Sequence, residues 1–87
     1  MLTIKYFTAK WCGPCKAFGP IVDKVILETG VNVQKIDVDL SKDIATEYYI
    51  SSVPTLIFEA GGKAIHRQSG AMSYHQLLNM VNNYRMT

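Results

Sequence analysis

The first 38 residues read as strand, long helix and second strand, and this run narrows the available folds more than any other feature of the chain. Leu2, Ile4 and Tyr6 alternate with Thr3, Lys5 and Phe7, the period of a strand. From Gly13 to Thr29 the apolar residues Ala17, Phe18, Ile21, Val22, Val25 and Ile26 recur at helical spacing, and Gly30 follows as a stop signal. Val31 to Val38 is apolar on both faces near its middle, as expected of a strand buried in a parallel strand–helix–strand unit. Pro20 falls inside the long helix and predicts a bend after the first turn, because proline removes a donor and crowds the carbonyl one turn earlier.

The remaining residues supply the rest of a sheet. Ser41 reads as an N-cap for a short helix over Lys42 to Tyr49, and Ser51-Ser52 ahead of Val53-Pro54 ends it. Thr55 to Phe58 is a third strand, and Gly61-Gly62 separates it from Lys63 to Gln68. That spacing predicts an antiparallel hairpin with the glycines at positive φ and a fourth strand ending near Gly70. Ser73-Tyr74-His75-Gln76 matches a capping box, and Leu77, Leu78, Val81 and Tyr84 form one apolar face of a terminal helix. The fold class is α/β: a minimal βαβαββα order with a four-stranded mixed sheet flanked by three helices. With 87 residues, 48% of them hydrophobic, the chain is enough for one core and no second, so residues 1–87 are expected to form a single domain.

The net charge is +2 and the nine Lys and Arg residues are scattered, so no footprint for nucleic acid stands out. No apolar run is long enough to cross a bilayer, and neither a leader nor a lipidation signal is evident. The expectation is a soluble protein without a membrane partner. Two cysteines separated by two residues do not make the bridged framework of a secreted mini-protein. Their use points to chemistry in a reducing compartment, the cytoplasm.

Cys12 and Cys15 stand where the first strand gives way to the long helix. A helix N-terminus presents unpaired N–H groups and the positive end of the dipole, which favour a thiolate on Cys12. Three residues later is about one turn, so Cys15 reaches Cys12 within disulfide geometry. Gly13 and Pro14 add little bulk, and proline near a helix start gives up a donor that lacks a partner anyway. The chemistry is thiol–disulfide exchange: Cys12 attacks a substrate disulfide and Cys15 resolves the mixed disulfide. A zinc or iron site needs more ligands than this pair, so no metal is expected. His66 and His75, the two histidines, read as surface residues remote from Cys12, which argues against a Cys–His hydrolase.

Trp11-Cys12-Gly13-Pro14-Cys15-Lys16 resembles the active-site signature of the thioredoxin family, which is far more specific than a bare Cys-x-x-Cys. Pro20 resembles the kinking proline of the family's active-site helix, Val53-Pro54-Thr55 its cis-proline loop, and Gly61 and Gly70 its hairpin and late-loop glycines. The resemblance implies a thioredoxin-like fold and a cis bond at Pro54. It also implies that the backbone of Val53 pairs with an extended substrate segment, with Trp11, Gly13, Pro14, Gly70 and Ala71 around it as a flat docking patch for proteins. It further implies a protein-disulfide reductase with no cofactor beyond its own Cys12–Cys15 disulfide. A thioredoxin-reductase-like flavoenzyme would recharge it, and its clients would include ribonucleotide reductase. A monomer is the default.

Two features depart from the pattern. The chain begins at what matches the family's second strand, lacking the N-terminal strand and helix. Tyr6 stands where many members carry a buried aspartate near the resolving cysteine, and Lys35 stands where the family's lysine pairs with that aspartate. The proton of Cys15 is then expected to leave through water, to the departing thiolate, or with Tyr6 or Lys35 as hydrogen-bonding groups. Two alternatives stay open: a glutaredoxin-like, glutathione-dependent oxidoreductase, suggested by the short chain, and an interaction subunit that docks without turnover.

Overall fold

A computed structural model describes residues 1–85; the last two residues of the expected 1–87 domain lie outside the described ones. The elements are β1 (Leu2–Thr8), α1 (Gly13–Thr29), β2 (Asn32–Asp37), α2 (Lys42–Glu47), β3 (Thr55–Ala60), β4 (Lys63–Ser69) and α3 (Tyr74–Arg85). The four-stranded sheet has the order β2-β1-β3-β4, with β1 parallel to β2 and antiparallel to β3, and β3 antiparallel to β4. The expected βαβαββα order and mixed sheet are therefore those observed.

The alternation of β1 divides the core. Leu2, Ile4 and Tyr6 join Phe18, Val22 and Val25 of α1 and Leu77 and Val81 of α3 on one face of the sheet. Phe7 joins Ile36 and Ile57 on the other, covered by Ile44, Tyr48 and Ile50 in and after α2. Phe7, Phe18 and Phe58 are fully buried, each worth on the order of 1.5–3 kcal/mol against exposure.

Local signals held where the chemistry is specific. Gly30 takes φ 69° and its N–H donates to the Ile26 carbonyl at 2.8 Å, closing α1. The capping box forms reciprocally: Ser73 N–H donates to Gln76 Oε1 at 3.0 Å and Gln76 N–H to Ser73 Oγ at 3.2 Å. Gly61 and Gly62 take φ 59° and 78° in the hairpin. Pro20 lies within α1, which is continuous from Gly13 to Thr29.

Four expectations need correction. The strand read as buried on both faces is an edge strand: Asn32, Gln34 and Lys35 are exposed. Its apolar residues do serve both faces, Val31 and Val33 on the α1 side and Ile36 on the other, but the strands with a neighbour on both sides are β1 and β3. Ser41 occupies the N-cap position of α2 without a side-chain cap bond, and α2 stops at Glu47, with Tyr48 as C-cap and Tyr49 at φ 55°. Ala17, counted on the apolar face of α1, is exposed. The hairpin also carries an unforeseen bulge: Phe58 opposes His66 and Glu59 opposes Ala64, leaving Ile65 over.

Strand register then decides where function can sit. Thr8 pairs with Asp37, Phe7 with Thr55, and Thr55 with Ser69. The segments after β1, after β2, before β3 and after β4 therefore all gather at one end of the sheet.

Candidate active site

Cys12 and Cys15 meet at that end. Cys12 is the N-cap of α1 in extended conformation (φ −82°, ψ 112°), with Pro14 in the first turn and no acidic residue there to oppose the dipole. The two are disulfide-bonded with Cα atoms 5.2 Å apart, inside the range a disulfide accepts. Cys15 N–H donates to Cys12 Sγ at 3.2 Å, so the backbone already solvates the sulfur that would carry the charge. Each cysteine is 4% exposed and packs with Ala9, Val38 and Val53.

The segment before β3 closes over the pair. The Val53–Pro54 bond is cis, as the resemblance implied. The Val53 carbonyl oxygen lies 3.6 Å from Cys12 Sγ; in the disulfide this is a close approach, and in the dithiol the S–H of Cys12 can donate to it. Thr55 Oγ1 donates to the Ser52 carbonyl at 2.8 Å, and Gly70 N–H to the Pro54 carbonyl at 2.9 Å, with Gly70 at φ 90°. Val53 is thus brought against Cys12, and Pro54, Thr55, Gly70 and the exposed Ala71 belong to segments that meet at the same end of the sheet.

Trp11 is 68% exposed, which sets aside a core-packing role. Its indole Nε1 donates to Asp39 Oδ2 at 2.8 Å, while Asp37 Oδ1 accepts the N–H groups of Asp39 and Leu40. Trp11, Val38, Ile50, Ser51, Ser52 and Val53 line a shallow notch of about 120 Å³. Gly13, Pro14 and Lys16 are exposed around it. Val38 and Asp39 escaped the sequence reading as site residues; Asp37 is the register partner of Thr8, so Val38 and Asp39 follow it at the end of the sheet where the cysteines lie, a placement set by strand pairing.

Tyr6 and Lys35, read as candidate aids to Cys15 deprotonation, are engaged elsewhere. Tyr6 is 2% exposed and sits edge-on to Phe18, ring centroids 5.8 Å apart, in the core between sheet, α1 and α3. Lys35 forms a half-exposed ion pair with Asp23 of α1. The lysine that lacks its expected aspartate has thus found another on the surface.

On the opposite face of the sheet, Lys5 Nζ lies 2.6 Å from Glu59 Oε1, and Tyr48 OH donates to Glu59 Oε2 at 2.9 Å. Burial pushes the Glu59 carboxyl up, but the hydrogen bonds from Lys5 and Tyr48, with the Lys5 charge, outweigh it and hold the carboxyl below its usual range. The Glu59 hydrogen bond raises Lys5 against the opposing effect of burial. The Tyr48 ring packs on Phe7, and Arg67 donates to the Tyr48 carbonyl. This group anchors the stem of the segment leading to Val53.

A disulfide of this reach at a helix N-terminus, beside a cis-proline loop at the end of a mixed sheet, defines a thiol–disulfide oxidoreductase. The family model Thioredoxin matches residues 2–83. The chain is 35% identical over 80 residues to a thioredoxin of Chlamydia trachomatis, covering 91% of this chain and 78% of that one. It is 42% identical over 71 residues to thioredoxin-2 of Saccharomyces cerevisiae, covering 80% and 68%. A mutant thioredoxin structure from Halobacterium salinarum superposes with a TM-score of 0.90 at 32% identity, covering 95% of this chain and 74% of that one. The chain belongs to the thioredoxin family and is a thioredoxin-type redox protein. Membership implies protein disulfides as substrates and reductases as partners in general terms. No helix among the described residues is long and apolar enough to cross a membrane.

Proposed function

We propose that the protein is a protein-disulfide reductase in which Cys12 is the nucleophile and Cys15 the resolving thiol. The observation that carries this is the placement of Cys12 Sγ at the N-terminus of α1, accepting the Cys15 N–H at 3.2 Å. In the reduced protein the Cys12 thiolate attacks one client sulfur; the client S–S bond breaks and one client thiolate leaves. Cys15 then attacks Cys12 Sγ, its proton passing to the departing thiolate, and the second client sulfur is released. Two electrons reach the client as the Cys12–Cys15 disulfide forms; Cys15 supplies one proton and water returns the other, which Cys12 released on ionising, so no further cofactor enters the step.

The proton route through the leaving thiolate fits the surroundings, since the side chains packed on the pair are Ala9, Val38 and Val53. Tyr6 is taken up by core packing and Lys35 by Asp23, which weighs against both as proton carriers. The client would lie extended across Val53 and Pro54, between Trp11 on one side and Gly70 and Ala71 on the other. A thioredoxin-reductase-like flavoenzyme returns the electrons, and cytoplasmic proteins such as ribonucleotide reductase receive them.

The test is trapping. Cys15→Ser should accumulate Cys12-linked mixed disulfides with clients, and Cys12→Ser should form none. Reductase-coupled turnover of a protein disulfide should exceed glutathione-coupled turnover. Activity with glutathione alone would move the protein to the glutaredoxin-like reading, and full function in Cys12→Ser to a docking role without turnover.

A further inference from the structure

We infer that the groove between β4 and α3 is a second docking site, taking an extended, uncharged segment of the client chain next to its disulfide. This rests on the client-docking reading proposed above. The groove, of about 690 Å³, opens at Ala71 and Met72, immediately after Gly70, and runs along α3 to Tyr84. It is thus continuous with the loop that flanks Pro54. Its size falls within the roughly 300–1,000 Å³ typical of ligand sites, but it lies open along a strand and a helix, a shape suited to an extended chain.

Its chemistry is uniform: among the described residues no carboxylate, ammonium or guanidinium lines it. Four side-chain amides do. Gln68 and Gln76 have their oxygens engaged, by His66 Nε2 at 3.1 Å and by Ser73 N–H at 3.0 Å, which leaves their NH₂ groups as donors. Asn79 and Asn83 are exposed and one helical turn apart, so they share a face. A row of amides matches the donors and acceptors of a peptide backbone whatever its sequence, whereas a charged client residue would find no counter-charge.

The far end is preorganised, with His66 stacked on Tyr84 at 5.2 Å between ring centroids. The opposite wall also favours a strand. β4 ends the sheet order, so its outer backbone groups have no strand partner among the described residues. An extended segment can take them by strand addition.

The experiment uses disulfide-linked peptides carrying tails of zero or six uncharged residues on either side of the cysteine. For the wild type, a tail on one side only should raise kcat/KM on the order of tenfold, the yield of two or three amide hydrogen bonds less the ordering of the segment. An all-aspartate tail on that side should not. With Asn79→Arg and Asn83→Arg combined, the ratio of tailed to untailed peptide should fall to near one. In the Cys15→Ser mixed disulfide, the side-chain NH₂ resonances of Gln68, Gln76, Asn79 and Asn83 should shift with the tailed peptide and stay in place with the untailed one. A tail effect that is absent, equal on both sides, or unmoved by the double substitution overturns the groove inference while leaving the reductase reading intact. Failure of Cys15→Ser to form any adduct overturns the reductase reading instead.

Discussion

Replacing Glu59 by glutamine isolates a single charge at nearly constant shape. Lys5 and Glu59 side chains are 19% and 12% exposed, with Nζ and Oε1 at 2.6 Å. Glu59 also accepts the Tyr48 hydroxyl at 2.9 Å. Hydrogen bonds to charged groups contribute roughly 1.5–3 kcal/mol each, and a partly buried ion left without its partner costs more than a neutral group. The substituted amide would keep an acceptor for Tyr48 but leave the Lys5 ammonium without an anion, so the expected loss at neutral pH is about 2 kcal/mol. For a domain of this size that is a fall in Tm of about 8–16 °C.

The loss has a pH signature. The folded Glu59 carboxyl is held below its usual range, so its contribution is fully present above the unfolded carboxylate pKa of about 4.3 and disappears as pH falls through the lower folded value. Lys5 is raised, so its share persists up to about pH 10.4 and is lost only as pH rises through its folded value. Urea unfolding of wild type and Glu59→Gln from about pH 3 to 9 should show a constant gap from about pH 6 upward that closes on acidification. A gap below about 0.5 kcal/mol at neutral pH, or one of equal size at about pH 3, refutes the argument. The double replacement Lys5→Met with Glu59→Gln should recover most of the loss, since it removes both charges together and keeps an acceptor for the Tyr48 hydroxyl.

Other outcomes follow from single contacts. Asp39→Ala should free the indole of Trp11, the one tryptophan of the chain, and lower kcat/KM for a protein disulfide about two- to fivefold; an unchanged emission spectrum and rate would exclude the contact as a positioning element. Tyr6→Phe should leave the pH profile of reduction unchanged, because the ring against Phe18 is what the fold uses; a displaced profile would restore Tyr6 to the proton route. Tyr49→Gly should stabilise the protein by about 1 kcal/mol in urea unfolding, since Tyr49 holds φ 55° and is 85% exposed; destabilisation would mean that the exposed ring makes a contact worth more than the backbone strain.

Periodicity and capping chemistry made most of the fold legible in advance. The bounds of α1 and the Ser73–Gln76 box follow from bonds between near neighbours. What escaped depends on which strand lies beside which. Apolar residues on both faces made β2 resemble a central strand, but centrality is a property of sheet order, and β1 and β3 took those places. Lys5 and Glu59 are 54 residues apart, and only the antiparallel pairing of β1 with β3 makes them neighbours. At the site, Cys12, Cys15, Trp11 and Pro54 were legible because a local motif fixes them. Asp39 and the reassignment of Lys35 to Asp23 arise from pairings that no local pattern encodes.

The same register that gathers the reactive segments leaves the other pole of the sheet chemically idle. Gly61 and Gly62 turn there, at the end where Leu2 pairs with Ala60, and an added Cβ at either would meet nothing within 4 Å. Their positive φ strains any side chain placed on them, but a surface tether or a fluorophore attached through the exposed Lys63 that follows would hold the molecule with Trp11 and Pro54 facing away from the support. The protein thus has a natural handle and a natural working end, and the two lie at opposite ends of its strands.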